Sequence, residues 1–167
     1  MSNYFPMKSK TLHFVSLAAV AAILSGANWH NGATTAQDSP FGDRYWVIAS
    51  VTIHPALDVD MDGKPDTDLL ILRESCERDD ADQYRSDGII FTNRGSAHCD
   101  EEEEREEETG TWSFDPSTKT VIMEHYDSSK PVKASIVSAS STQVVLTSAH
   151  ESAKGTHTIT TTLTPRK

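Results

Sequence analysis

The chain is organised around the stretch TGTWSFDPSTKTVIM, which runs from Thr109 to Met123. Trp112 and Phe114 stand two residues apart, and side chains two apart on a β-strand point to the same face. Residues 115–118, Asp-Pro-Ser-Thr, have the composition of a turn. Val121 and Met123 then stand two apart in the next predicted strand. The stretch therefore predicts two antiparallel strands that share one apolar face.

The same pattern continues on both sides of this hairpin. Asp87-Gly88 lies between β-forming residues, and glycine tolerates the positive φ that a tight hairpin needs. Further turns are predicted at 127–131 and 151–155, and strands at 44–54 and 157–163. Residues 68–74 fit a short helix or a strand equally well. Short strands spaced in this way favour an all-β antiparallel barrel or, alternatively, a β-sandwich.

The N-terminus has the features of an export signal. Lys8 and Lys10 precede an apolar run of eleven residues from Phe14 to Leu24, and Ser25-Gly26-Ala27 supplies small residues for cleavage. Eleven apolar residues are too few to cross a bilayer as a helix, which needs about 20. We predict a signal-peptide helix in residues 1–27, although a cut after Ala36 is an alternative.

Three segments follow from this interpretation: a signal peptide at 1–27, a disordered tether at 28–43 and one β-domain at 44–167. The tether is rich in Asn, Gly, Ala, Thr and Ser and has little to bury. Leu24-Ser25-Gly26 would be a lipoprotein signal if Cys followed, but Ala27 offers no thiol for a lipid. We therefore expect a periplasmic or secreted protein without a stable membrane anchor.

The acidic balance limits the partners. The formal charge is −10, and it becomes about −12 without residues 1–27, which hold two lysines and no acids. Nucleic acids and anionic membranes both bind basic surfaces preferentially, so neither is expected as a partner. Residues 100–108 contain eight acids and one arginine. We interpret this run as a solvated loop or frayed helix, with cation buffering as the alternative.

The segment from Asp58 to Asp68, DVDMDGKPDTD, has the spacing of a calcium loop. Alternate carboxylates on a turning backbone can point at one centre, and Gly63 permits the sharp turn. Leu69 stands where an EF-hand has its bidentate Glu, so the loop is not an EF-hand. A solvated acidic turn is the alternative. The predicted Ca²⁺ ligands are Asp58, Asp60, Asp62, the Lys64 carbonyl and Asp66, with Asp68 either a sixth ligand or a surface acid.

The two cysteines are Cys76 and Cys99, 23 positions apart. In an exported protein such a pair predicts a disulfide. A metal site that includes His98 is the weaker alternative, because no second histidine lies at ligand spacing.

Taken in order, these features resemble the lipocalin-like domain of small bacterial cell-envelope lipoproteins. The resemblance covers about 44–165, and its most specific part is Cys76-Glu77-Arg78-Asp79-Asp80 with the second cysteine, Cys99. Trp46, Asp87-Gly88 and the Gly110-Thr111-Trp112 strand opening also match. The resemblance implies an up-and-down β-barrel with an apolar interior and a binding role. Members usually carry the lipid-bearing cysteine, which this chain lacks.

We therefore predict an exported barrel that binds an apolar small molecule or a protein partner. A Ca²⁺-dependent structural or adhesion module with a solid core is the alternative. An enzyme is not expected, since G-x-S-x-G, H-E-x-x-H and phosphate-binding glycine motifs are missing from the sequence. Interior positions more often form plain core than contact a ligand. The candidate pocket residues are Trp46, Ile48, Phe91, Trp112, Phe114, Met123, Leu146 and Ile159, and further interior positions are Ile89, Val121, Val144 and Leu163.

Overall fold

The computed structural model describes residues 39–167. The predicted signal peptide, Ala27, the alternative cut after Ala36 and most of the predicted tether lie outside these residues. Within the described part, no helix has the length and apolar character needed to cross a membrane.

Nine strands follow one another along the described chain. They are β1 (Tyr45–Leu57), β2 (Asp66–Asp68), β3 (Ala81–Tyr84), β4 (Ile89–Asn93), β5 (Glu106–Asp115), β6 (Thr120–His125), β7 (Val132–Ala139), β8 (Val144–Ser152) and β9 (Gly155–Pro165). The segment that the sequence left undecided, residues 68–74, begins with the last residue of β2 and continues into a 3₁₀ turn, Leu70–Leu72. A second 3₁₀ turn spans Ser75–Glu77.

Eight of these strands close into an antiparallel up-and-down barrel. From β3 to β9 each strand pairs with the next in the chain, and β1 joins β3 on one side and β9 on the other. The C-terminal half of β1 extends beyond its pairing with β3 and pairs there with β2. The predicted barrel is confirmed and the alternative sandwich is excluded, because the β1–β9 pairing removes the free edges that two separate sheets would have.

The central hairpin forms as the sequence predicts. Trp112 pairs with Met123 and Phe114 with Val121 across β5 and β6. All four side chains are buried, and they belong to one core. Alternation along each strand therefore places the apolar residues inside the barrel.

Phe41 closes one end of the barrel and corrects the predicted domain boundary. Its side chain is fully buried, although the sequence assigned residues 28–43 to a disordered tether. The ring packs on Trp46, Tyr84 and Trp112 at centroid distances of 6.4, 4.4 and 5.5 Å. Its carbonyl accepts a hydrogen bond of 2.8 Å from the Trp46 indole N–H. The folded domain therefore begins no later than Phe41. The sequence did not indicate this, because a single large apolar side chain among polar neighbours gives no periodic pattern.

The strand directions divide the connecting segments between two ends. Residues 85–88, 116–119 and 140–143 lie at the end that Phe41 closes. The connections 58–65, 69–80, 94–105, 126–131 and 153–154 lie at the opposite end, which we call the mouth. The acidic loop, both cysteines and the acidic run are thus gathered at the mouth.

Candidate functional site

Two neighbouring cavities occupy the upper half of the barrel. The inner cavity has a volume of about 220 Å³, and the mouth cavity about 590 Å³. Both are lined by Ile48, Asp82 and His125, so they meet at these three residues. The rest of the inner wall is mainly apolar: Tyr84, Met123, Val132, Ala134, Ser148, Leu146, Thr161 and Leu163.

Asp82 is the carboxylate at the junction. Its side chain is half-buried inside the barrel, and solvent reaches it through the cavities. One carboxylate oxygen accepts a hydrogen bond of 2.7 Å from Thr92, whose hydroxyl also lies 2.8 Å from that of Thr109. Burial raises the pKa of the Asp82 carboxyl, and the Thr92 hydrogen bond and the charge of His125 oppose the shift. An acid in such a place can hold the polar end of a bound molecule.

The charged groups of the mouth form a network around Arg94. Its guanidinium contacts Asp80 at 3.3 Å and Glu103 at 3.2 Å, and it also pairs with Glu107. Arg94 therefore ties the connection before β3 to the acidic run and to the start of β5. Part of that run is ordered strand rather than solvated loop, since β5 begins at Glu106.

The eight candidate pocket residues fall into three groups. Ile48, Met123 and Leu146 line the inner cavity. Trp46, Trp112 and Phe114 belong to the buried core, and both indole N–H groups donate to backbone carbonyls, those of Phe41 and Arg85.

Ile159 and Phe91 make up the third group. Ile159 is half-buried and pairs with the core residue Ile53. Phe91 lies on the outer face: its neighbour Ile90 is buried and pairs with buried Tyr84, while the Arg85 guanidinium covers the Phe91 ring at 5.0 Å. The predictions of Phe91 and Ile89 as interior residues are wrong, because strand alternation places Ile90 inside.

The acidic loop brings three of its predicted ligands together. Carboxylate oxygens of Asp58, Asp60 and Asp66 lie within 4.8 Å of one another. Gly63 has a φ of +89°, the conformation for which the sequence needs a glycine. One oxygen of Asp58 is buried without a hydrogen-bond partner. These three carboxylates could hold a metal ion, although each also accepts a backbone N–H hydrogen bond within the loop, as in an acidic turn.

The other predicted ligands are placed differently. The Asp62 carboxylate accepts hydrogen bonds from the backbone N–H and the ammonium group of Lys64, at 2.8 and 3.3 Å. Asp68 accepts from the backbone N–H of Leu70 at 2.9 Å and so begins the 3₁₀ turn. Neither carboxylate belongs to the convergent group.

The predicted disulfide joins Cys76 to Cys99, with an S–S distance of 2.02 Å. It links the second 3₁₀ turn to the residue that immediately precedes the acidic run at the mouth. Oxidised sulfurs leave no thiolate for the alternative metal site with His98. A disulfide of this kind is typical of proteins in an oxidising, extracellular compartment.

Asp79 supports the same part of the mouth. Its carboxylate accepts hydrogen bonds from the backbone N–H and the hydroxyl of Ser96, at 2.7 and 2.8 Å, and these bonds lower the pKa of the Asp79 carboxyl. Gly95 passes so close that an added Cβ would lie 2.4 Å from the Asp79 carboxyl carbon. The Cys76–Asp80 segment is therefore clamped onto the strand end by both the disulfide and Asp79.

The sequence reading missed Asp82 and His125 as cavity residues. Asp82 stands two residues before Tyr84, and His125 two residues after Met123, so each follows its strand's alternation onto the inner face. The signal was therefore present. A polar side chain on a short strand is nevertheless usually solvent-exposed, so alternation alone does not indicate a cavity residue.

Comparison of the chain with protein-family models, curated proteins and solved structures found no match. The site must therefore be interpreted from its own geometry.

Proposed function

We propose that the barrel binds a small amphipathic molecule in its interior. The apolar part would occupy the inner cavity, and the polar part would lie at Asp82 and the mouth. The observation that carries the proposal is that a mainly apolar cavity of about 220 Å³ meets a charged cavity of about 590 Å³ at one half-buried carboxylate. Small-molecule sites are typically concave and apolar with a few converging polar groups.

The difference between the two ends of the barrel also supports binding. The closed end is filled by aromatic rings around Phe41, while the upper half keeps open volume beside Met123 and Leu146. Eight-stranded barrels are just wide enough to be filled by side chains or to hold one ligand. Here one end is filled, and the other has room.

Ca²⁺ and the disulfide would brace the mouth in this proposal. The convergence of Asp58, Asp60 and Asp66 supports a cation at the connection after β1. The disulfide and the Arg94 network hold the connections that surround the cavity. Periplasmic or secreted localisation is part of the same proposal and is supported by the disulfide.

The experiment is a titration with the neutral fluorophore N-phenyl-1-naphthylamine, whose phenyl ring would enter the inner cavity while its naphthyl group lies in the mouth cavity. We expect saturable binding that Ala134→Leu weakens at least about tenfold, because Ala134 is buried on the cavity wall and the longer side chain would occupy the space. Ser135→Leu is the matched control, since Ser135 is exposed on the same strand. Binding that is equal in both variants would place the fluorophore outside the barrel and contradict the proposal.

The alternative function is a Ca²⁺-dependent structural module without a ligand. The dense core around Phe41, Trp46 and Trp112 favours it. That alternative predicts no saturable binding of the fluorophore, together with a melting temperature that falls on chelation of Ca²⁺.

A further inference from the structure

The charges around Asp82 carry an inference about which ligands the cavity selects. Only one oxygen of its carboxylate is hydrogen-bonded, to Thr92, among the residues that the structure describes. The described ion pairs give Asp82 no lysine or arginine partner. A half-buried carboxylate without a close cation is poorly compensated, because the apolar part of its surroundings cannot replace its hydration.

The cations on the cavity wall are already engaged elsewhere. Arg94 contacts Asp80, Glu103 and Glu107, and Arg73 pairs with Glu77 at 3.5 Å. These are the arginines that line the mouth cavity, and none of its described lining residues is a lysine. Among the described residues that line the mouth cavity, every guanidinium group is therefore already in an ion pair with another carboxylate.

The surplus charge of the mouth is negative. The described residues that line the mouth cavity carry six carboxylates, two guanidinium groups and one imidazole. Glu108 and Asp127 at the rim have no ion-pair partner among the described residues, and His125 makes no hydrogen bond to Asp82 there. The field at the entrance therefore favours cations and disfavours anionic ligands.

We propose that the ligand is a small organic cation, an ammonium group on an apolar body, and that its charge pairs with Asp82. This rests on the proposed function. The ammonium would meet the carboxylate at the junction, while the apolar body extends between Met123 and Leu146 in the inner cavity. Binding would give Asp82 a direct ion-pair partner, which the described residues do not provide.

The inner cavity also limits the size of the apolar body. A cavity of about 150 Å³ lined by aliphatic and aromatic side chains holds benzene. The inner cavity of about 220 Å³ therefore has room for one aromatic ring with a short chain. A long acyl chain would have to extend into the charged mouth, which offers it little apolar surface.

The test compares three ligands of one shape on the unaltered protein by isothermal titration calorimetry at neutral pH: 2-phenylethylammonium, 2-phenylethanol and 3-phenylpropanoate. We expect the ammonium compound to bind at least about tenfold more tightly than the alcohol, because a hydrogen bond to a charged group is stronger than one between neutral groups. The carboxylate compound should bind most weakly. This comparison does not depend on any variant folding.

The second arm uses Asp82→Asn, which keeps an acceptor for Thr92 and removes the charge. We expect the ammonium preference to fall to within about threefold of the alcohol, while the affinity of the alcohol is unchanged. Glu104→Gln, at an exposed acid of the mouth, is the matched control and should retain the preference. Asp82→Asn should be at least as stable as the unaltered protein, because it removes a poorly solvated charge.

The outcomes separate this inference from the proposed function. If the alcohol binds and the ammonium compound is not preferred, or if Asp82→Asn retains the preference, the cation assignment is wrong while interior binding stands. Tighter binding of the carboxylate compound would overturn it in the same way. If neither these compounds nor the neutral fluorophore binds, both proposals fail.

Discussion

Phe41→Ala should destabilise the protein severely, although the residue lies in a segment whose composition resembles a linker. The ring is fully buried and contacts three other aromatic rings at the closed end. Its removal would leave a cavity beneath Trp46, Tyr84 and Trp112. Truncation of a buried Phe to Ala typically costs about 3–5 kcal/mol.

The melting temperature should fall in proportion. For the 129 residues from 39 to 167, an unfolding entropy of about 2.1 cal/mol/K per residue amounts to about 0.27 kcal/mol/K. A loss of about 3–5 kcal/mol then corresponds to a shift of about 11–18 °C. Because domains are stable by only about 5–15 kcal/mol, such a loss could remove much of the folded population at physiological temperature.

Chemical and thermal denaturation, followed by the fluorescence of the tryptophans, would measure both quantities. Phe91→Ala is the matched control, because this phenylalanine is half-buried on the outer face beneath Arg85. Its truncation should cost only about 1 kcal/mol. If the two substitutions cost the same, or if Phe41→Ala costs less than about 1 kcal/mol, Phe41 does not close the barrel.

Three further predictions concern the mouth. About 10 mM Ca²⁺ should stabilise the chelator-treated protein by about 1.4–2.7 kcal/mol if the dissociation constant is about 10⁻³–10⁻⁴ M. Calorimetry should show that Asp60→Asn abolishes this stabilisation and that Asp62→Asn does not. Equal losses in the two variants would contradict the three-carboxylate site. Joint replacement of Cys76 and Cys99 by serine should cost about 3 kcal/mol in urea unfolding, because the bond closes a loop with a separation of 23 residues; an unchanged midpoint would refute this estimate. The pKa of Asp79 is lower in the folded protein, so the unfolded chain binds this proton more readily; the carboxylate stabilises the fold above its ordinary pKa of 3.8 and loses that effect as the pH falls further. When unfolding is measured from pH 5 to 2, the free energy of unfolding should fall less steeply with pH in Asp79→Asn. Identical slopes would argue against the Ser96 contacts.

Local sequence patterns determined the strands and most turns. The alternation at Trp112, Phe114, Val121 and Met123 predicts a hairpin with one apolar face, and the structure pairs these residues across β5 and β6. Such periodicity depends only on the alternation of side chains along an extended chain, so it can be read without knowledge of distant contacts. The disulfide was equally accessible, because the chain has only two cysteines.

The choice of which residue of a strand faces inward was less secure. Strand alternation can place either Ile89 and Phe91 or Ile90 and Thr92 on the inner face, and the prediction that Ile89 and Phe91 face inward is wrong. The pairing of β4 with β3 decides the matter, since Ile90 lies opposite the buried Tyr84. A shift of one residue reverses the two faces of a strand, so an apolar run by itself leaves the inner face undecided.

The sequence by itself determined an all-β chain, the turn at Gly63 and the one cysteine pairing available to it. Only the tertiary structure decided that β1 meets β9, that Phe41 closes the barrel, and that Asp82 lies where an apolar cavity meets a charged mouth. The physical reason is the range of the interactions. Turns and strand alternation arise between near neighbours in the chain, whereas barrel closure and cavity walls join residues that are far apart in sequence and meet only after folding.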